Sequence, residues 1–218
     1  MSLQNRFSQQ DLDRIKDAVK QAESKISGEI VPVFVERSSS YAIGNYRAGV
    51  IFAGLAFLMI IVIDTYFPAM AIYDPFWIFM IVWPSGLAGA ALARYVGPIQ
   101  KLFVKKGYLD QATSRRAQSE FLSQEVFNTR LRTGIMIFVS FFEHKVMVIA
   151  DTGISKVVKQ EEWDSLVQNI IINIRQGKLV EGIEGAIKRC GEILLEKGFV
   201  ISPDDINELG DELRHDQN

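Results

Sequence analysis

Two long runs without charged residues dominate the hydropathy pattern of this chain. The first covers residues 48–63 and the second residues 75–93, where Arg94 ends it. A helix needs about 20 mostly apolar residues to cross a bilayer. The second run meets this length, and the first meets it if Tyr46 and Tyr66 lie at the two membrane interfaces. The pattern therefore predicts a transmembrane hairpin. The alternative, two buried helices of a soluble protein, is hard to accommodate in 218 residues.

The charges beside these runs predict the orientation of the hairpin. Residues 64–74 contain no Lys or Arg, whereas the outer flanks carry Arg37, Arg47, Arg94, Lys101, Lys105 and Lys106. The positive-inside rule places both outer flanks in the cytoplasm. Residues 1–28 contain no apolar segment of the kind found in a cleaved leader. We therefore expect a multi-pass protein of the cytoplasmic (inner) membrane with both termini in the cytoplasm.

The segment after the second run is basic and partly apolar. Residues 94–106 combine four cations with Leu102, Phe103 and Val104 and contain no acid. This composition predicts a helix at the lipid headgroups, with Lys101, Lys105 and Lys106 at the membrane surface. The alternative is a flank that anchors the hairpin without lipid specificity.

Small residues recur every four positions in the second run. Ser85, Gly89 and Ala93 form one series, and Gly86 and Ala90 form another. Such spacing allows two helices to approach closely. It fits packing of the hairpin on itself or an interface between copies.

Outside the hairpin, β-branched runs alternate with helical periodicity. Ser8 and Asp11 form a capping-box pattern before a helix that Gly28 ends. Strands are predicted at 29–35, 134–142 and 145–150, with a two-residue turn at Glu143 and His144. Pro32 cannot donate to a strand ladder, which favours an edge or a bulge. Further helices are predicted at 110–128, 160–175 and 179–197.

One strand precedes the hairpin and two follow it. A lone helix and strand do not form a stable domain, so the two flanks are expected to complete one α/β domain. The predicted division is 1–47 for the first part of that domain, 48–93 for the hairpin, 94–202 for the remainder, and 203–218 for an acidic, loosely ordered tail.

Composition limits the possible functions. The net charge is −2, and no basic stripe of the nucleic-acid-binding type is present. The single Cys190 excludes an internal disulfide and a CxxC motif. His144 and His215 do not form a metal-ligand spacing.

The polar part contains one candidate cation site. Asp151 ends a strand and is followed by a glycine turn, and Glu161, Glu162 and Asp164 lie on the next helix. Together they offer oxygen ligands to calcium or another divalent cation. The alternatives are a capping aspartate at 151 and an acidic first helical turn. Arg132 is a candidate anion-binding residue or a surface charge.

The order of these elements resembles the TPM domain family. The matching pieces are GEIVPV at 28–33, RTGIMIFV at 132–139, KVMVIADTGI at 145–154 and PDDINEL at 203–209. The last piece is similar to a bacterial membrane branch that carries a two-span insertion. The resemblance implies an α/β/α sandwich. Some family members are described as acid phosphatases or calcium-binding proteins, and others as assembly or repair factors for membrane complexes.

The chain departs from the family at one point that concerns chemistry. Many soluble members have an acidic residue and Asn before the glycine that is Gly134 here, whereas this chain has Arg132 and Thr133. An expected carboxylate is therefore missing.

Two functions remain open. The first is a membrane-anchored interaction domain with the bilayer and a membrane protein as partners, which assists assembly or maintenance of a membrane complex. The alternative is a metal-dependent phosphohydrolase with an incomplete acidic site and Asp151 as a ligand.

Overall fold

The computed structural model describes residues 6–201 and the backbone of residues 214–215. These residues form eight α-helices, a 3₁₀ turn at Pro68–Met70 and four strands. In chain order the elements are α1 Gln9–Glu23, β1 Glu29–Val35, α2 Ala42–Tyr66, α3 Pro75–Tyr95, α4 Gly97–Leu102, α5 Lys106–Ser123, β2 Gly134–Ser140, β3 Lys145–Ala150, α6 Thr152–Ser155, α7 Gln160–Arg175, α8 Leu179–Glu196 and β4 Arg214–His215.

The first helix begins at a reciprocal cap. The Asp11 N–H donates to the Ser8 hydroxyl at 3.2 Å, and the Ser8 N–H donates to the Asp11 carboxylate at 2.9 Å. These hydrogen bonds satisfy donors that the first helical turn leaves unpaired. The hydrogen bonds from Ser8 lower the pKa of the Asp11 carboxyl. The capping-box prediction is confirmed.

The sheet has the strand order β3-β2-β1-β4. β1 and β2 are parallel along seven residue pairs, from Glu29 opposite Gly134 to Val35 opposite Ser140. β3 runs antiparallel to β2. Among the described residues, β4 pairs with β1 at Val33 and Phe34.

Helices cover both faces of the sheet. One face presents Ile30, Phe34 and Ile137 to a core shared with α1, α7 and α8. The opposite face presents Val33 and Phe138 to a smaller core that includes Ala117 of α5. Because side chains alternate along a strand, each strand supplies both cores. The fold is the expected α/β/α sandwich.

The chain divides into two compact units, Met1–Ser38 with Ala112–Asn218, and Ser39–Gln111. The second unit contains α2 and α3, which follow β1 along the chain. Both helices are long and apolar enough to cross a membrane. Of the most apolar 18-residue stretch in each, only 6% of α2 and 11% of α3 is buried.

Small residues hold α2 and α3 close together. A Cβ added to Gly49 would lie 2.9 Å from the Gly86 carbonyl oxygen. A Cβ added to Gly89 would lie 2.6 Å from the Phe52 side chain. The spacing noted in the sequence therefore serves packing of the hairpin on itself.

The turn between β2 and β3 differs from the prediction. β2 ends at Ser140, and four residues, 141–144, connect it to Lys145. The Phe141 N–H donates to the Val35 carbonyl, and the Phe142 N–H donates to the Glu36 carbonyl. These bonds tie both phenylalanines to the chain after β1. The prediction of a two-residue turn was therefore wrong.

The predicted surface helix at 94–106 was also wrong as one continuous element. α3 ends at Tyr95, and α4 covers only Gly97–Leu102. Pro98 lies in the first turn of α4, and it has no N–H to donate back to α3. The helix predicted at 110–128 is shifted as well, because α5 covers Lys106–Ser123 and Glu125 takes a positive φ of 53°.

The structure describes little of the acidic tail predicted at 203–218. The tail at 203–218, including the PDDINEL piece, lies outside the described residues except for β4. The sequence analysis did not anticipate this short strand.

Gly134 provides a test of the sheet. A Cβ there would collide with the Val126 carbonyl oxygen, so we expect Gly134→Ala to lower the free energy of unfolding by about 3 kcal/mol. Gly185, within α8, has open space at its Cβ position. Gly185→Ala should raise stability by up to about 1 kcal/mol. Denaturant unfolding of the full chain in detergent, followed by circular dichroism, measures both; equal effects would contradict this packing.

Candidate functional site

Asp151 lies at the end of β3, where it caps α6. Its Oδ1 accepts the Thr152 N–H at 2.6 Å, and the side chain is almost completely buried. The Ser155 hydroxyl donates to the Asp151 backbone carbonyl at 2.9 Å. The carboxylate thus has the capping role that the sequence analysis offered as the alternative to metal binding.

The second oxygen of Asp151 faces Arg132. The distance from Asp151 Oδ2 to Arg132 Nε is 3.0 Å, an ion pair in which the aspartate is buried and the arginine half exposed. Arg132 adopts a positive φ of 59°, and its guanidinium lies 5.6 Å from the Phe127 ring centre. A non-glycine residue in this backbone region is uncommon. The strand entry at 132–133 thus places a protein cation directly against Asp151.

The glycine after Asp151 allows this approach. The Gly153 N–H donates to the Arg132 carbonyl at 3.0 Å. A Cβ at Gly153 would lie 2.5 Å from the Leu131 carbonyl oxygen and 2.6 Å from that of Arg132. The Asp-Thr-Gly turn therefore packs backbone to backbone against the start of β2.

The other three predicted ligands face different surroundings. Glu162 pairs with Lys197 at 2.8 Å, and the hydrogen bond from Lys197 lowers the pKa of its carboxyl. Glu161 is exposed, and Asp164 accepts the Gln160 amide at 3.0 Å. Within residues 6–201, no three His, Cys, Asp or Glu side chains form a group that could hold a metal ion. The four predicted ligands therefore do not form one cluster in the described residues, and metal binding remains a prediction.

A different cluster lies at the carboxyl ends of the parallel strands. The Ser140 hydroxyl donates to Glu143, and the Ser38 N–H donates to Glu143 Oε1 at 2.9 Å. The hydroxyls of Ser38 and Ser140 are 2.9 Å apart. Ligands of open α/β sheets usually bind at this edge, whereas Asp151 lies at the opposite end of β2. Sequence reasoning placed Glu143 in a two-residue turn and missed this cluster.

This serine–glutamate cluster is a structural clamp. Ser140 is fully buried, and the two carboxylate oxygens of Glu143 accept from different chain segments. The cluster therefore ties the chain after β1 to the turn after β2. A serine three residues before a glutamate, at the end of a strand, was the signal available in the sequence.

Cys190 is not a candidate nucleophile. It is fully buried in α8, and burial raises the pKa of its thiol to about 12. The thiolate is the reactive form, so this residue is unreactive at neutral pH.

The second unit carries its cations at one end. Arg47 lies near the start of α2, Arg94 near the end of α3, and Lys101, Lys105 and Lys106 follow in and after α4. We call these five residues the cationic end. Asp64 and Asp74 lie at the other end of the helix pair. The surface role of the three lysines stays a prediction.

Comparison with known proteins agrees with this architecture. Residues 107–193 match the TPM domain family. Over these residues the chain is similar to a TPM domain. The NMR structure of BA42 protein from the psychrophilic bacterium Bizionia argentinensis superposes with a TM-score of 0.60, over 99% of this chain and 99% of its own, at 18% sequence identity. At that identity the likeness establishes the fold alone. No curated protein matches the chain.

The folded domain extends beyond the residues that match the TPM family. The match begins at residue 107, yet β1 pairs with the full length of β2 and α1 packs on the same core. Residues before α2 are therefore part of the folded domain.

Replacement of Asp151 tests its capping role. Asp151→Ala removes the cap of α6 and the partner of Arg132, so we expect the free energy of unfolding to fall by about 2 kcal/mol. Asp151→Asn keeps a capping oxygen and should cost less than about 1 kcal/mol, because Arg132 is half exposed and its pairing is screened. Thermal unfolding in detergent gives both values. The exposed Asp164→Ala serves as the control, and a loss as large as that of Asp151→Ala would contradict the assignment.

Proposed function

We propose that this protein is a TPM domain anchored in the cytoplasmic membrane by α2 and α3, and that it binds a membrane protein and assists assembly or maintenance of its complex. The observation that carries the anchor is the exposure of both helices. Large apolar side chains along both helices are exposed; for example, Val50 is 74% exposed and Trp83 is 57% exposed. Exposing apolar surface to water costs roughly 25 cal/mol per Å². A bilayer removes that cost.

The charge distribution supports one orientation. The cationic end carries five Lys or Arg residues, while the connection between α2 and α3 has none. Cytoplasmic flanks are enriched in cations. Both chain connections to the TPM domain leave the helix pair at its cationic end. The proposal therefore places the domain in the cytoplasm.

The polar chemistry supports binding over catalysis. Asp151 is engaged by a backbone N–H and Arg132. Ser140 is buried in the serine–glutamate clamp, and Cys190 is an unreactive thiol. A hydrolase needs a nucleophile, a base and charge stabilisation that converge on one accessible point. The candidate residues described above do not provide that convergence.

Substituted cysteines test the topology with little background, because the native Cys190 is buried. Met70→Cys, in the connection between α2 and α3, should react with a membrane-impermeant maleimide in intact cells. Lys106→Cys, at the cationic end, should react only after the membrane is opened. Fluorescence of the labelled protein on a gel measures both reactions. The reverse pattern would overturn the orientation, and labelling of both in intact cells would overturn the anchor.

Affinity capture tests the partner. Wild-type protein extracted in detergent should recover a membrane protein in stoichiometric amount. Gly134→Ala, which should destabilise the TPM domain and changes no residue of α2 or α3, should reduce recovery of that partner, whereas Gly185→Ala should keep it. Repeated recovery of the wild-type protein alone would count against an interaction role.

The alternative function rests on the buried carboxylate of Asp151, whose Oδ2 makes no hydrogen bond. A metal-dependent phosphohydrolase predicts hydrolysis of a generic phosphoester that requires a divalent cation and is lost in Asp151→Asn. We expect no such activity in folded protein, because Arg132 already neutralises this carboxylate. Hydrolysis that depends on both the cation and Asp151 would favour the enzyme.

A further inference from the structure

A groove lies within the second unit beside the start of α2. It is open, has a volume of about 430 Å³, and is lined by Tyr46, Arg47, Val50, Ile51, Leu102 and Phe103. We call it the Arg47 groove. We propose that it binds one anionic phospholipid, with the phosphate on the Arg47 guanidinium and an acyl chain along Val50, Ile51 and Leu102. This inference rests on the proposed membrane anchor.

The cation in this groove is held in place. Arg47 Nη1 donates to the Phe103 carbonyl at 3.2 Å, which ties the side chain to the end of α4. A guanidinium carries five N–H donors, so this one bond leaves others for a ligand. Arg47 is also exposed. Planar guanidinium groups bind phosphate in two-point geometry.

The two walls of the groove are fixed to one another. Gln100 of α4 is buried, and its amide nitrogen donates to the Ser40 and Tyr41 carbonyls and, at 2.9 Å, to Asn45 Oδ1. Gly44 of α2 leaves no room for a Cβ against Val104 and Gln100. α4 is therefore attached to the first turns of α2, and the groove is a formed feature.

The apolar wall suits an acyl chain. Val50 is 74% exposed, Ile51 45% and Leu102 79%. This wall is continuous with the apolar surface of α2. A small soluble anion would use Arg47 and leave the wall uncovered, whereas a phospholipid covers both.

Charge complementarity selects an anionic lipid. No carboxylate lines the groove. Asp64 and Asp74 lie at the opposite end of the helix pair. Cations at a membrane surface attract anionic headgroups. A zwitterionic lipid offers a phosphate together with a compensating cation, so it should bind less tightly.

The test uses the full chain in nanodiscs of mixed phosphatidylglycerol and phosphatidylcholine, with retained lipid identified by native mass spectrometry. Wild-type protein should retain one phosphatidylglycerol. Arg47→Gln should lower its occupancy by about tenfold, the effect of losing a charge-assisted hydrogen-bond pair. Leu102→Ser should weaken retention by about threefold through loss of apolar contact, with the Arg47 charge intact.

Arg94→Gln is the matched control. It removes the same charge from the same end of the helix pair, but Arg94 does not line the groove. Its phosphatidylglycerol occupancy should stay within about twofold of wild type, since an exposed charge outside the groove is screened by salt. Circular dichroism on each variant checks that the helices are intact.

The outcomes separate the two proposals. Equal losses in Arg47→Gln and Arg94→Gln, or equal retention of both lipids, would overturn the groove as a specific site and leave the anchor standing. Displacement of the lipid by added inorganic phosphate would likewise overturn a site that requires the acyl chain. Failure of the wild-type protein to enter nanodiscs at all would overturn the anchor itself.

Discussion

The parallel pairing of β1 with β2 is the constraint on which the rest of this protein depends. Seven consecutive residue pairs join strands that lie on either side of α2 and α3 in the chain. Parallel neighbours cannot be joined by a tight turn and require a crossover connection. Here the crossover contains the two apolar helices. The chain must therefore leave the α/β sandwich after its first strand and return before its second.

This arrangement determines where chemistry is available. The carboxyl ends of β1 and β2 are occupied by the Ser38–Ser140–Glu143 clamp, which joins the chain after β1 to the β2–β3 turn. At the opposite end of β2, Asp151 is paired with Arg132. A buried carboxylate is costly unless it is paired. Arg132 thus provides the compensating charge for Asp151 from within the chain.

The helix pair is built by different rules from the sandwich. Glycines bring the two helices together, Gly49 against Gly86 and Gly89 against the Phe52 side chain, while many large apolar side chains face outward. A water-soluble bundle would show the opposite distribution, with large side chains inside. Close backbone approach with an apolar exterior is typical of helices that pack in lipid. The anchor and the lipid groove that we propose both depend on this outward-facing apolar surface.

The amino-acid sequence by itself determined most of the helices and strands of this protein and the class of its fold. Some features depend only on residues that are neighbours in the sequence, so they can be predicted from it. These are the hydrophobic periodicity, the Ser8–Asp11 cap and the length of the uncharged runs. Other contacts join residues that are far apart in the sequence. Examples are the ion pair of Arg132 with Asp151, the clamp between Ser38 and Glu143, and the hydrogen bond from Arg47 to Phe103. Such contacts follow from strand register and helix packing, which no local pattern encodes. Only the tertiary structure decided which candidate side chains lie together, and it brought a cation, not three further carboxylates, to Asp151.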